Sequence, residues 1–176
     1  MKTILQVEDD ANDVFFLQKA MKKVGVTNPI QVASDGQQAI DYLKGTGKFA
    51  DRLQFPLPCL VLLDLKLPHV MGLDVLKWIR QQPELPVIVV ILSSSKEEAD
   101  IATAYRLRAN GYLVKPPDLD KLLDMAKSIK DFWLTQNNPP PESPEQKMVA
   151  DRTHRSRRET LGDPRETFLN IAQSAP

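Results

Sequence analysis

Five short apolar runs, separated by segments of helical spacing, limit what this chain can fold into. Residues 4–7, 60–63 and 87–92 are short, partly β-branched and bounded by charges or proline, the pattern of strands buried on both faces. Residues 30–33 and 111–114 supply two further candidates. Between them, residues 13–24 place Val14, Leu17, Met21 and Val24 on one helical face, with Asn12 or Asp13 available as the cap and Gly25 as the stop. Residues 37–44, closed by Gly45, and residues 73–82, closed by Pro83, follow the same logic. Residues 96–108 open with Ser95 as a cap, and a last helix spans 119–134. Five alternations of strand and helix predict an α/β fold, doubly wound around a parallel sheet with right-handed crossovers.

The length of 176 residues and a hydrophobic content of 42% suit one core. Lys plus Arg and Asp plus Glu both total 23, so net charge gives no reason to expect a nucleic-acid or membrane surface. Cys59 is the only cysteine, which excludes an internal disulfide and fits a reducing compartment; its apolar neighbours predict burial. The first residues lack a signal-peptide stretch and no run approaches a membrane span, so the expected location is cytoplasmic. Residues 44–58 read as a long surface loop. From Thr135 the pattern breaks into a Pro-rich stretch, so the expected division is a domain over 1–135 and a linker with a disordered tail over 136–176. The tail's Arg152, Arg155, Arg157 and Arg158 read as a solvated patch, and short helices near 145–150 and 164–172 are compatible with the composition.

Ligands of an open α/β sheet gather at the carboxyl ends of its strands. There the sequence places Glu8, Asp9 and Asp10 after the first run, Asp64 after 60–63, Ser93, Ser94 and Ser95 after 87–92, and Lys115 after 111–114. Crowded carboxylates resist ionising unless a cation sits among them. Mg²⁺, which takes oxygen ligands from one or two carboxylates plus water and phosphate, suits this set better than Zn²⁺, since His69 and His154 are not spaced as ligands. One carboxylate can then attack a phosphoryl group while metal, hydroxyl and ammonium neutralise its oxygens.

Four motifs in this order, Val7-Glu8-Asp9-Asp10, Leu63-Asp64-Leu65-Lys66-Leu67-Pro68-His69-Val70-Met71-Gly72, Leu92-Ser93-Ser94 and Gly111-Tyr112-Leu113-Val114-Lys115-Pro116, resemble the receiver domain of two-component response regulators over residues 2–134. The resemblance implies a flavodoxin-like (CheY-like) five-stranded parallel sheet of order 2-1-3-4-5. It also implies that Asp64 is the phosphoacceptor, that Glu8, Asp9, Asp64 and the backbone carbonyl of Lys66 hold Mg²⁺, and that Lys115 is the family's lysine, with a cis peptide bond to Pro116. Ser93 corresponds to the switch hydroxyl and Tyr112 to the aromatic that changes rotamer with it. The expected role is a single-domain regulator that takes its phosphoryl group from a sensor histidine kinase in a phosphorelay and signals through protein contacts. Glu8 stands where Asp is commoner, Ser93 where Thr is, Arg108 where Gly is frequent, and Pro117 where an apolar residue is usual. The phrase Asp131-Phe132-Trp133-Leu134 resembles small regulators of bacterial phytochrome kinases, which implies a homodimer through the fourth helix, fifth strand and fifth helix.

Two other readings use the same residues. A phosphatase of the haloacid dehalogenase type needs a second Asp two residues after the first, where this chain has Lys66, so no turnover enzyme is expected. A scaffold that signals without phosphorylation has no use for charges clustered at a desolvation cost. Phe15, Phe16 and Trp78 read as core or interface aromatics, His69 as an exposed loop residue, and Trp133 as a lid or dimer contact.

Overall fold

A computed structural model describes residues 2–138. The strands are β1 (Thr3–Val7), β2 (Ile30–Ala33), β3 (Pro58–Leu63), β4 (Ile88–Ser93) and β5 (Gly111–Val114). All neighbours pair in parallel, in the order β2-β1-β3-β4-β5. The helices are α1 (Ala11–Lys23), α2 (Gly36–Lys44), α3 (Gly72–Arg80), α4 (Glu98–Arg106) and α5 (Leu119–Ser128), the last continuing as a wider π-type helix over Ile129–Gln136. The expected 2-1-3-4-5 sheet is therefore present. The tail calls, including the arginine patch and the short helices, lie outside the described residues.

Strand alternation divides the core in two. Leu5, Val7, Val61, Leu63, Val89 and Ile91 face α2, α3 and α4, while Ile4, Leu60, Leu62, Ile88, Val90 and Leu92 face α1 and α5. β1, β3 and β4 are almost wholly buried, whereas β5 is half-exposed throughout. Gln6 is the exception inside β1: it is 2% exposed, and neither its Nε2 nor its Oε1 has a hydrogen-bond partner among the described residues. Leaving such a group unpaired costs roughly 1–3 kcal/mol.

Several local expectations change. The cap of α1 is Asp10, whose carboxylate accepts from the amides of Asn12 and Asp13, because Asp10 holds the extended backbone a cap requires. Helix α4 starts later than expected, and the hydroxyl of Ser95 donates to Asp100 at 2.6 Å instead of capping the helix end. The segment between α2 and β3 is more than a surface loop. Phe49 is buried, stacks edge-on with Phe55 and packs on Tyr42, while the Arg52 guanidinium donates to the carbonyls of Tyr42 and Leu43 at the open end of α2. Cys59 is half-buried, with burial raising its thiol pKa. Phe15 and Phe16 are exposed, whereas Trp78 packs on the α2–α4 side of the core. Trp133 packs against the α1/α5 side.

Arg108 ends α4 in a left-handed conformation, φ 65°. The bonds Arg108 N to Tyr105 O and Ala109 N to Ala104 O form the same helix-end motif that Gly25 makes after α1. A side chain in that region is strained by roughly 1–2 kcal/mol. Replacing Arg108 with Gly is expected to stabilise the fold by about 0.5–1 kcal/mol, since glycine also adds unfolded-state entropy. Urea unfolding of the two proteins measures it.

Candidate functional site

Three strand ends build the site. The ladder continues one residue past each strand: Glu8 N donates to Ala33 O, Asp64 N to Val7 O and Lys115 N to Ser93 O, at 2.9–3.1 Å. The functional side chains thus leave the sheet at fixed positions along its carboxyl edge. Carboxylate oxygens of Glu8, Asp9 and Asp64 lie within 4.8 Å of one another. Asp9 is exposed; Glu8 and Asp64 are buried.

The Lys115 ammonium donates to Glu8 Oε2 at 2.5 Å, to Asp64 Oδ2 at 2.7 Å and to Asp13 Oδ2 at 2.8 Å. Asp13, expected only as a candidate helix cap, is thus part of the site. With the cap supplied by Asp10, Asp13 sits three residues further along the first turn and is free to turn toward β5. Its position one turn beyond a cap and on the site side of α1 was the available signal.

Burial is the main cause that lifts the Glu8 carboxyl from 4.5 to about 7, with Lys115 opposing it and Asp64 reinforcing it. Burial also disfavours the charge on Lys115, but its bonds to Asp13, Asp64 and Glu8 outweigh this and raise its pKa. The site therefore has more anionic groups than one ammonium satisfies comfortably, which fits a hard divalent cation held by oxygens.

Asp64 is held from below. Its Oδ1 accepts from the amides of Leu65 and Lys66, at 2.5 and 3.2 Å. The loop that follows turns at Pro68-His69-Val70, with Val70 N donating to Pro68 O and exposed His69 at φ 64°. Gly72 begins α3 directly against Asp64: a Cβ there would lie 2.0 Å from the Asp64 carbonyl oxygen. Gly72→Ala must push α3 away from β3, so it is expected to cost about 1–3 kcal/mol or more in unfolding free energy. Thermal melts would show it.

Ser93 is fully buried at the end of β4, and its Oγ accepts from Ser95 N at 3.3 Å. Tyr112 is half-buried and donates its hydroxyl to the Ser95 carbonyl at 3.1 Å. Its phenol pKa is raised chiefly by burial, against bonds to Ser95 and Ser93. Ser93 and Tyr112 are thus connected through the β4–α4 turn. The Lys115–Pro116 peptide bond corrects one expectation, since no cis bond occurs among the described residues.

Residues 4–127 match the response regulator receiver domain. The chain belongs to that family. Receiver domains serve two-component systems, and phosphorylation-dependent signalling is the family role. Among relatives, the probable methanogenesis regulatory protein FilR2 of Methanothrix harundinacea is 37% identical over 141 residues, covering 78% of this chain and 86% of FilR2. Response regulator Rcp1 of Synechocystis is 37% identical over 134 residues, covering 76% and 89%. The crystal structure of the Mn²⁺-bound form of Rcp1 superposes with a TM-score of 0.73 over 80% of this chain and 100% of that one, at 35% identity. That of the phosphorylated cyanobacterial phytochrome response regulator RcpA gives 0.74 over 80% and 99%, at 36% identity. Divalent metal binding is thus supported for this receiver fold, and its acidic cluster is compatible with it. No helix among the described residues is long and apolar enough to cross a membrane.

Proposed function

We propose that Asp64 accepts a phosphoryl group from the phosphohistidine of a sensor histidine kinase, with Mg²⁺ held by Glu8, Asp9, Asp64 and the Lys66 carbonyl. The single observation that carries this is the Lys115 ammonium bridging Glu8 and Asp64 inside a cluster of three converging carboxylates. The P–N bond of the donor breaks as a P–O bond to Asp64 forms, and the imidazole leaves with the bonding pair. Bound Mg²⁺ would supply charge neutralisation for the phosphoryl oxygens. Lys115 exchanges its carboxylate bonds for one to the phosphoryl group, and the amides of Leu65 and Lys66 stand beside Asp64 as further donors. Ser93 turns its hydroxyl to the same oxygens. That movement alters the turn to which Tyr112 is bonded and shifts a two-state equilibrium at α4 and β5.

Residues 1–135 form the receiver in this reading, which works in the cytoplasm as a phosphoacceptor and turns over no separate substrate. A phytochrome-type kinase is the proposed donor, by similarity to RcpA and Rcp1. The exposed Tyr105, Leu119 and Phe132, beside the half-exposed β5, suit a homodimer through α4, β5 and α5. Acetyl phosphate with Mg²⁺ tests the chemistry: intact mass should rise by one phosphoryl group. No gain, with or without a histidine kinase as donor, would favour the phosphorylation-independent scaffold.

A further inference from the structure

A pocket of about 350 Å³ lies at the amino ends of β4 and β5, the edge of the sheet opposite Asp64. Pro86, Ile88 and Trp133 give it apolar walls, Arg80, Arg108 and Asn110 line it with polar groups, and no carboxylate contributes to the lining. The two arginines interlock across the ends of α3 and α4: Arg80 Nε donates to Arg108 O at 2.9 Å, and Arg108 Nη2 donates to Arg80 O at 3.1 Å. Arg80 is fixed further by Nη1 to Val87 O at 3.1 Å and Nη2 to Asn110 Oδ1 at 2.7 Å. All four acceptors are neutral, and neither guanidinium forms an ion pair among the described residues. A guanidinium carries five N–H donors, so Arg80 keeps two unused and Arg108 four. Burial, reinforced by the neighbouring Arg108 charge, disfavours the charge on Arg80 and pulls its pKa down.

The backbone of Arg108 is a second, independent observation. It ends α4 at φ 65°, a conformation that glycine adopts freely and a side chain only at a cost. A residue held there against that cost points to a use for its side chain. We propose that the pocket binds a phosphate monoester, with the phosphoryl group between the Arg80 and Arg108 guanidiniums and an apolar body against Pro86, Ile88 and Trp133. Two forked cations match a group that carries close to two negative charges and three terminal oxygens. A carboxylate answers only one of the charges, and a neutral ligand leaves their repulsion in place. The carbonyl bonds fix both arginine heads before the ligand arrives, so little side-chain freedom is lost on binding. The volume falls within the range of small-molecule sites, roughly 300–1,000 Å³, which leaves room for a body beyond the phosphoryl group. The site shares no residue with the Asp64 cluster, so it does not rest on the phosphoacceptor reading.

Phenyl phosphate is a suitable probe, with benzoate as the singly charged control and phenol as the neutral one. In the full chain labelled with ¹⁵N-tryptophan, the Trp133 indole resonance should shift saturably with phenyl phosphate. Divalent cations are left out, so that the acidic edge around Asp64 repels the probe. Benzoate should bind about tenfold more weakly or worse, and phenol should give no saturable shift. Arg108→Gly should weaken phenyl phosphate by about tenfold or more while unfolding at a higher urea concentration than the parent, so lost binding cannot be read as a lost fold. Arg108→Lys, which keeps the charge without the fork, should fall between the two. Asp64→Asn should bind phenyl phosphate as the parent does, so loss of phosphorylation and loss of binding are separable. The proposal is overturned by no saturable shift up to about 10 mM phenyl phosphate, by unchanged affinity in Arg108→Gly, or by benzoate or phenol binding as tightly as phenyl phosphate.

Discussion

Asp64→Asn is expected to eliminate labelling by acetyl phosphate and by any cognate kinase, leaving the intact mass unchanged. Asparagine retains the side-chain oxygen that accepts from Leu65 and Lys66, so the loop should hold its shape. What disappears is the anionic nucleophile and one of the three carboxylates bonded to Lys115. Divalent cation affinity should fall with it, by at least the roughly 10–100-fold that loss of an outer-shell partner produces. Calorimetric titration with Mg²⁺ reads the second effect independently of the first. A persistent mass gain would place the acceptor elsewhere.

Lys115→Ala should produce the largest change in stability. It removes the one cation that, among the described residues, bonds to Glu8, Asp13 and Asp64 together, and breaking a buried pair by deleting one partner typically costs about 3–5 kcal/mol. The loss should depend on pH. Glu8 already holds its proton more tightly in the folded state, with its pKa raised from 4.5 to about 7. Its linked stabilisation is complete below 4.5 and disappears as pH rises through 7, because the folded state then releases a proton that the unfolded state has already lost. Lys115 lowers the Glu8 pKa, so its removal raises that value further and extends the window upward. Metal-free Lys115→Ala should therefore lose more stability at pH 8 than at pH 5, with Mg²⁺ restoring part of the loss at pH 8. Urea titrations at the two pH values, with and without the ion, provide the comparison. Equal losses at both would mean that Glu8 is not the linked group.

The sheet was legible because its evidence is local. Central strands buried on both faces appear as continuous apolar runs, and β2 and β5 coincide with the segments 30–33 and 111–114 read from the sequence. Glu8, Asp9, Asp64 and Lys115 were legible because strand ends in a parallel sheet share one edge, and the four do converge there. Asp13 was missed because its role depends on which acid caps α1, a choice set by the backbone angles of Asp10 rather than by residue type. Gln6 was hidden inside an apolar run, where only three-dimensional packing distinguishes a satisfied amide from an orphan. The turn of α5 into a π-type helix at Ile129 also left no mark, since its apolar residues suit either winding.

Glu8 and Asp64 follow the interior strands β1 and β3, while Lys115 hangs from β5 at one edge of the sheet. Being less buried than β1 and β3, β5 is expected to open before them, so that the anions stay anchored while their counter-charge moves, an order that amide hydrogen exchange would read. Sensing and motion are in this way assigned to opposite halves of one ion pair.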